Sequence, residues 1–270
     1  MILDDIMTQK RRDLEELKRR FPLHRLKQAA EKSDRTGVRS FHKALSNTRG
    51  INLICELKKA SPSEGLLRED FQPLRLAGYF EFAGAKAISV LTESHYFKGR
   101  PSYLKTVRQV TSIPILRKDF IFESYQIYES VLLEADAYLL IASLLSREEL
   151  QTLIALGRQH HMDAVVEVHT EEDLRKAVAA GAKIIGINNR NLMTLSVDAD
   201  RAKHLIPQVP KGITIVVESG LKTHEELLSY KSLGVSSFLI GTILMKSKNI
   251  VSTIEGLLGK LKHLSAGDTE

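Results

Sequence analysis

Glu56 and Lys58 lie two residues apart in the run Ile54-Cys55-Glu56-Leu57-Lys58-Lys59-Ala60-Ser61-Pro62-Ser63. Leu53, Cys55 and Leu57 alternate with them at the period of a strand, so the two charges share a face. Ala60-Ser61-Pro62-Ser63 then turns the chain. The same arrangement recurs downstream. Lys118 stands in Leu116-Arg117-Lys118-Asp119-Phe120, and Glu167 in Val165-Val166-Glu167-Val168-His169. Asn188 and Arg190 stand in Ile185-Gly186-Ile187-Asn188-Asn189-Arg190-Asn191, and Glu218 in Val216-Val217-Glu218-Ser219-Gly220; Leu239-Ile240-Gly241-Thr242 completes the set. Any one of these alone is better explained as a salt bridge between strands. All of them together are hard to explain as packing. Two or three carboxylates and two lysines in one partly desolvated cup shift each other's pKa, giving a proton donor and acceptor near neutral pH. Ser61, Ser219 and Thr242, with Gly220 and Gly241, would offer hydroxyls and backbone N–H groups to a phosphate. The chemistry is acid–base or Schiff-base work on a small phosphorylated substrate.

Strands must aim these residues and helices must space them. Strand-like apolar runs fall at 51–58, 87–91, 114–117, 137–141, 163–168, 184–188, 213–218 and 237–240. Helical patterns follow at 73–82, 101–110, 124–134, 146–160, 171–180, 199–206, 224–233 and 250–262. Ser146 with Glu149 and Thr223 with Glu226 form capping boxes, and Thr170 and Asp198 are N-caps. Ala83-Gly84-Ala85-Lys86 echoes Ala180-Gly181-Ala182-Lys183, each glycine placed to end a helix before a strand. Eight β-α alternations without a break in composition predict an α/β fold, a (β/α)8 TIM barrel over 51–270. A doubly wound open sheet is the alternative, weakened because neither a Gly-x-Gly-x-x-Gly turn nor a Walker loop is found. Residues 1–50 predict a helical extension packed on the barrel, the whole forming a single domain. Its first helix ends near Phe21-Pro22, a second covers Leu23–Glu31, a loop covers Ser33–Gly37 and a short helix lies around Phe41–Leu45.

Composition narrows the partners. The 270 residues are 43% hydrophobic and 27% charged, as in ordinary globular proteins. The net charge of +6 suggests nucleic acid, but residues 1–50 hold 13 Lys and Arg against 7 Asp and Glu, while residues 51–270 balance. Lys10 to Arg20 mixes both signs as a solvated helix face does, so no nucleic-acid partner is expected. Tyr138-Leu139-Leu140-Ile141-Ala142 is strand-length, so no membrane partner is expected either. The acidic start lacks a secretory pattern, and a single cysteine, Cys55, fits core packing in a reducing cytoplasm. The nine histidines are scattered, mostly in solvated settings, with only His169 near a strand end. No metal-ligand spacing occurs, and no metal is expected. The outer helices show no evident excess of apolar surface, which leaves the oligomeric state open. A monomer is the expectation carried forward.

The motifs Glu56–Ser63, Ser89-Val90-Leu91-Thr92-Glu93 with Tyr96-Phe97-Lys98-Gly99, Leu116–Phe120, Gly186–Leu192 and Val217–Gly220 resemble the indole-3-glycerol-phosphate synthase family. The resemblance runs from the first helix to the eighth strand. It implies a cytoplasmic carboxy-lyase of tryptophan biosynthesis. Such an enzyme closes the indole ring of 1-(2-carboxyphenylamino)-1-deoxyribulose 5-phosphate with loss of CO2 and water, and needs no cofactor. By that resemblance Lys118 is the general acid for ring closure and Glu167 takes part in proton transfer. Lys58, partnered by Glu56, holds the anthranilate carboxylate and could supply the proton for dehydration. Asn188 orients the substrate or Glu167, Glu218 binds the sugar hydroxyls, and Arg190 supports the site. Phe97 and Ser219 contact substrate, and Ser61, Gly220, Gly241 and Thr242 hold phosphate. The division of acid and base among Lys58, Lys118 and Glu167 stays open. Glu64 departs from the family, standing where many members carry a basic residue. The chain ends at Glu270, so a fused phosphoribosylanthranilate isomerase barrel is not expected; weak association with other tryptophan-pathway enzymes is the only protein partner implied. A phosphoribosylanthranilate-isomerase-like or Schiff-base aldolase barrel would share the phosphate cradle without this carboxylate–lysine set. A non-catalytic barrel would be expected to have lost Lys118 or Glu167.

Overall fold

The computed structural model describes residues 2–191 and 194–260. Eight barrel strands lie in chain order: β1 (Asn52–Leu57), β2 (Ala87–Leu91), β3 (Ile115–Lys118), β4 (Ala137–Ile141), β5 (Asp163–Val168), β6 (Ile184–Asn188), β7 (Thr214–Glu218) and β8 (Ser237–Ile240), with a short hairpin pairing Ala60–Ser61 and Gly65–Leu66 after the first. Each pairs in parallel with its sequence neighbours, and β8 pairs with β1 from Ser237–Asn52 to Ile240–Cys55. That last ladder closes the barrel and overturns the open-sheet alternative. Every residue of β1 is buried, because a parallel sheet covered by helices hides both faces. Leu53, Cys55 and Leu57 take the side away from Glu56. Cys55 is fully buried, and that burial pushes its thiol pKa up, so it is an inert core residue.

Between strands run α4 (Pro73–Ala83), α5 (Tyr103–Arg108), α6 (Ser124–Leu132), α7 (Arg147–Gln159), α8 (Glu171–Ala179), α9 (Asp200–Leu205) and α10 (His224–Lys231). Both expected capping boxes form, and Thr170 accepts from the Asp173 N–H. Gly84 and Gly181, at φ +108° and +85°, occupy the left-handed turn that the repeated tetrapeptide predicts. Asp198 caps α9 from one residue further out, its Oδ1 accepting the Asp200 N–H at 3.1 Å. Its own N–H donates to the Asn189 carbonyl at 2.8 Å, which holds it in the loop, and α9 starts at Asp200 with Ala199 at the cap position. The expected last helix is preceded by another, α11 (Thr242–Lys246), before α12 (Ile250–Leu257), which Asn249 caps. Residues 261 and 262 of that expected helix, the rest of the tail to 270, and Leu192 of the β6 motif lie outside the described residues.

The first fifty residues form α1 (Ile2–Arg20), α2 (Leu23–Glu31) and α3 (Phe41–Ala44). Acidic residues start α1 and basic residues end it, in the sense that suits the helix dipole. Leu3, Ile6, Met7 and Leu14 bury its apolar stripe. Lys10 meets Asp119 at 2.8 Å and Lys18 meets Glu123 at 2.6 Å, so α1 lies over the C-terminal ends of the strands. At the opposite end, Arg39 N–H donates to Asp136 and His42 N–H to Asp163, each at 2.9 Å. The extension therefore runs from the barrel's mouth to its underside before entering β1. On the outside, α4 exposes Leu74, Tyr79 and Phe82, the last 80% exposed. The sequence had suggested no such patch, because these residues interleave with the buried Leu76, Ala77 and Phe80.

Candidate active site

Strands β1, β3, β5 and β7 contribute Glu56, Lys118, Glu167 and Glu218. Alternate strands filling one layer is the barrel's usual way of packing its interior with branched apolar residues. Here the layer is charged. Lys118 Nζ lies 2.9 Å from Glu218 Oε2 and 3.1 Å from Glu167 Oε2. Lys58 Nζ lies 3.2 Å from Glu56 Oε1. All three carboxylates are buried.

Burial alone would drive these groups neutral, so their partners decide the outcome. For Lys118, burial favours the neutral amine, but Glu167, Glu218 and Glu56 outweigh it and hold the pKa raised. Glu218 is pushed up to about 7, first by burial and then by Glu167 and Glu56, against the pull of Lys118. Its Oε1 has no hydrogen-bond partner among the described residues. Glu167 goes the other way: burial raises it, but Lys118, His169 and Asn188 together bring it below the ordinary value. Two buried carboxylates with different proton affinities thus share one lysine.

Surrounding residues fix this geometry. Asn188 Nδ2 donates to Glu167 Oε1 at 3.1 Å, and Asn188 Oδ1 accepts the Arg190 N–H at 2.9 Å. A Cβ on Gly186 would fall 2.5 Å from Glu218 Oε1, so only glycine leaves room for that carboxylate. Beside Lys118, the buried Arg117 joins Asp119 at 3.0 Å and Glu129 at 2.6 Å. Burial would raise Asp119, yet Lys10, Arg117 and Thr92 hold it well below the usual carboxylate range. Glu93 accepts the N–H groups of His95, Tyr96 and Phe97 at 2.8, 2.8 and 2.9 Å. This folds the loop that sets Phe97 near Phe120, with ring centroids 6.3 Å apart.

Two adjoining hollows share Glu56, Lys58, Arg190, Ser219 and Leu239. The first, about 850 Å³, holds Lys118, Glu167, Asn188 and Glu218 beneath an apolar wall that includes Phe97, Phe120 and Ile2, Leu3 and Ile6 of α1. The second, about 1140 Å³, is bounded by Gly220, Gly241 and Thr242 with Lys222, Lys246 and Glu64. Ser61 lines the first hollow, apart from the other expected phosphate residues. Ser219 and Gly220 stand consecutively in the left-handed region, at φ +68° and +80°. A serine there costs on the order of 1 kcal/mol, strain of the kind that collects at functional sites. Gly241 is small for Glu56's sake: an added Cβ would meet Glu56 Oε1 at 2.6 Å.

Sequence reasoning passed over several of these. Lys10 and the α1 wall act from an element remote in the chain. Lys246 follows Thr242 by one turn of α11, a segment between the expected strand at 237–240 and the expected helix at 250–262. The Glu64 carboxylate contacts Lys246 and lies 4.0 Å from Arg190 Nη2. His169, the one histidine placed near a strand end, has its side chain 12% exposed, with Nε2 3.4 Å from Glu167 Oε1. Among the described residues no cluster of His, Cys, Asp or Glu could hold a metal ion, and no helix is long and apolar enough to cross a membrane.

A closed eight-stranded parallel barrel with lysines and carboxylates converging at its strand ends is a (β/α)8-barrel enzyme built for proton transfer. Its fold resembles a 3-hexulose-6-phosphate synthase from Salmonella typhimurium, with TM-score 0.63 and 13% identity over 77% of this chain and 97% of that one. It also resembles a mutant tryptophan synthase α-subunit from Pyrococcus furiosus, with TM-score 0.59 and 15% identity over 77% and 98%. At such identities the likeness shows the fold alone. The family model described as Indole-3-glycerol phosphate synthase matches residues 3–257. An indole-3-glycerol phosphate synthase of Campylobacter jejuni is 45% identical over 96% of this chain and 100% of its own. That of Acetivibrio thermocellus is 44% identical over 94% and 98%. The chain belongs to the indole-3-glycerol phosphate synthase family.

Proposed function

We propose that the protein closes the indole ring of 1-(2-carboxyphenylamino)-1-deoxyribulose 5-phosphate, a step of tryptophan biosynthesis that releases CO2 and water. The reading rests on one observation above the others: Lys118 Nζ lies between Glu167 and Glu218 in a hollow that apolar residues wall on one side. Lys58, beside Glu56, holds the substrate's carboxylate. The aromatic ring packs against Phe97 and the α1 wall. Lys118 protonates the ribulose carbonyl as the ring carbon attacks it. Paired with two carboxylates it is a weak acid, so sugar hydroxyls that engage Glu218 must first loosen its hold. Glu167, oriented by Asn188, moves the proton needed for dehydration. The phosphate lies in the second hollow, against Ser219, Gly220, Gly241 and Thr242 with Arg190, and Ser61 contacts the ribulose chain from the first. Residues 1–50 serve as a helical extension that walls the mouth of the barrel at 51–270. The setting is the cytoplasm and the acting unit a monomer, in at most weak association with other enzymes of the pathway.

The protein has no tryptophan, so indole formation can be followed by fluorescence on a low background. Incubation with the carboxyphenylamino substrate should give a steady rise. No rise at substrate concentrations that saturate binding would overturn the assignment.

A further inference from the structure

His169 sits two residues beyond Glu167, directly after the end of β5. Its Nε2 is buried and has no hydrogen-bond partner among the described residues, while Glu167 Oε1 lies 3.4 Å away. The side chain is 12% exposed, so its remaining exposure lies away from Nε2. That side borders neither of the hollows at the mouth. His169 does line a third one, between α8 and α9. The imidazole therefore stands as a partition, with the site's carboxylate on one side and an outward-opening hollow on the other.

Charged groups of both signs surround it. From α8, Glu171 borders the outer hollow, and Asp173 accepts the His169 backbone N–H at 3.2 Å. From the α9 side come Asp198 and Asp200, opposed by Arg201 and His204. Arg201 already donates to the carbonyls of Asn188 and Asn189, and His204 pairs with Glu171 at 2.8 Å. Behind Glu167 stand Lys118 and, across it, Glu218.

The reaction proposed above creates a need for such a passage, and the inference rests on that reading. The carboxylate leaves as CO2, its bonding pair restoring the aromatic ring. The carbonyl oxygen leaves as water and requires two protons: one is released when the methylene carbon becomes the ring C–H, and the other must come from solvent. One proton thus enters the site per turnover, while the substrate fills the mouth beneath α1. We infer that His169 relays this proton from the hollow between α8 and α9 to Glu167. The ring accepts a proton on its solvent side, releases the one on Nε2 to the carboxylate, and resets by rotation or tautomer exchange. It acts through Glu167 and does not touch substrate.

The test compares wild type with His169→Asn and His169→Ala in weak and strong buffer, by indole fluorescence, after circular dichroism and Tm show both variants folded. In weak buffer kcat should fall about 10-fold or more, less than the loss of a group that itself exchanges protons with substrate, with KM unchanged. Added imidazole should restore His169→Ala in a saturable way, a rescue that a merely structural role would not give. Wild-type kcat in weak buffer, or a loss that imidazole leaves in place, overturns the relay while wild-type turnover still upholds the function. Absence of wild-type turnover overturns both.

Discussion

Lys118 carries the argument at the scale of residues, because a lone ammonium serves two buried carboxylates. Lys118→Ala should lower turnover by about 10²–10⁴-fold, the span typical of a lost general acid. The variant should stay folded, as circular dichroism would show; near-wild-type rates would remove Lys118 from its role. Glu218 allows a second test with a defined sign. Its folded pKa of about 7 exceeds the ordinary 4.5. The stability tied to its neutral form is therefore complete below the ordinary value and is lost as pH rises through about 7. The loss amounts to at most about 1.4 kcal/mol per pH unit. Glu218→Gln keeps the shape without the charge, so its Tm relative to wild type should climb between pH 5 and pH 8. A constant difference would show that the carboxyl titrates normally. Glu64 supplies a third. It occupies Lys246 and approaches Arg190 in the hollow assigned to phosphate, as an internal anion would. Glu64→Gln should make inorganic phosphate a several-fold stronger competitive inhibitor at low salt, and less so at high salt, because screening acts on exposed pairs. Unchanged inhibition would move the phosphate elsewhere.

Among elements, α1 does most to complete the site from a distance. Its apolar residues wall the hollow and its Lys10 enters the buried network around Asp119. Asp119 retains Arg117 when Lys10 is lost, so Lys10→Met should cost about 1–2 kcal/mol rather than the full penalty of an orphaned charge. For a barrel of this size that corresponds to a Tm drop of roughly 2–8 °C. KM should rise more than kcat falls, since the helix shapes binding surface rather than moving protons. A variant with wild-type KM would reduce α1 to a structural strut.

Over the whole molecule, the extension is tied to the barrel at both ends, by Lys10 and Lys18 above and by Asp136 and Asp163 below. A segment anchored this way has no core of its own to unfold around. Calorimetry and far-ultraviolet circular dichroism should therefore report one coincident transition. A separate early transition, absent when residues 1–50 are deleted, would make the extension an independent unit.

The eight strands were legible in the sequence nearly to the residue, because parallel strands buried on both faces leave continuous runs of Val, Ile and Leu bounded by glycine and proline. The polar residues at their ends were legible too, since period-two alternation tells which side chains share a face. The sequence could also place the family, through motifs that span the chain. It could not say that Lys118 faces two carboxylates, that Gly241 makes room for Glu56, or that Ser61 lines a different hollow from Gly220. Those depend on strands meeting across a closed barrel, at distances no local pattern records. Lys10 beside Asp119, Lys246 beside Glu64 and His169 behind Glu167 were decided by tertiary structure for the same reason. Spacing in a strand or helix fixes direction along one element, whereas proton affinity depends on charges that other elements bring within a few ångströms.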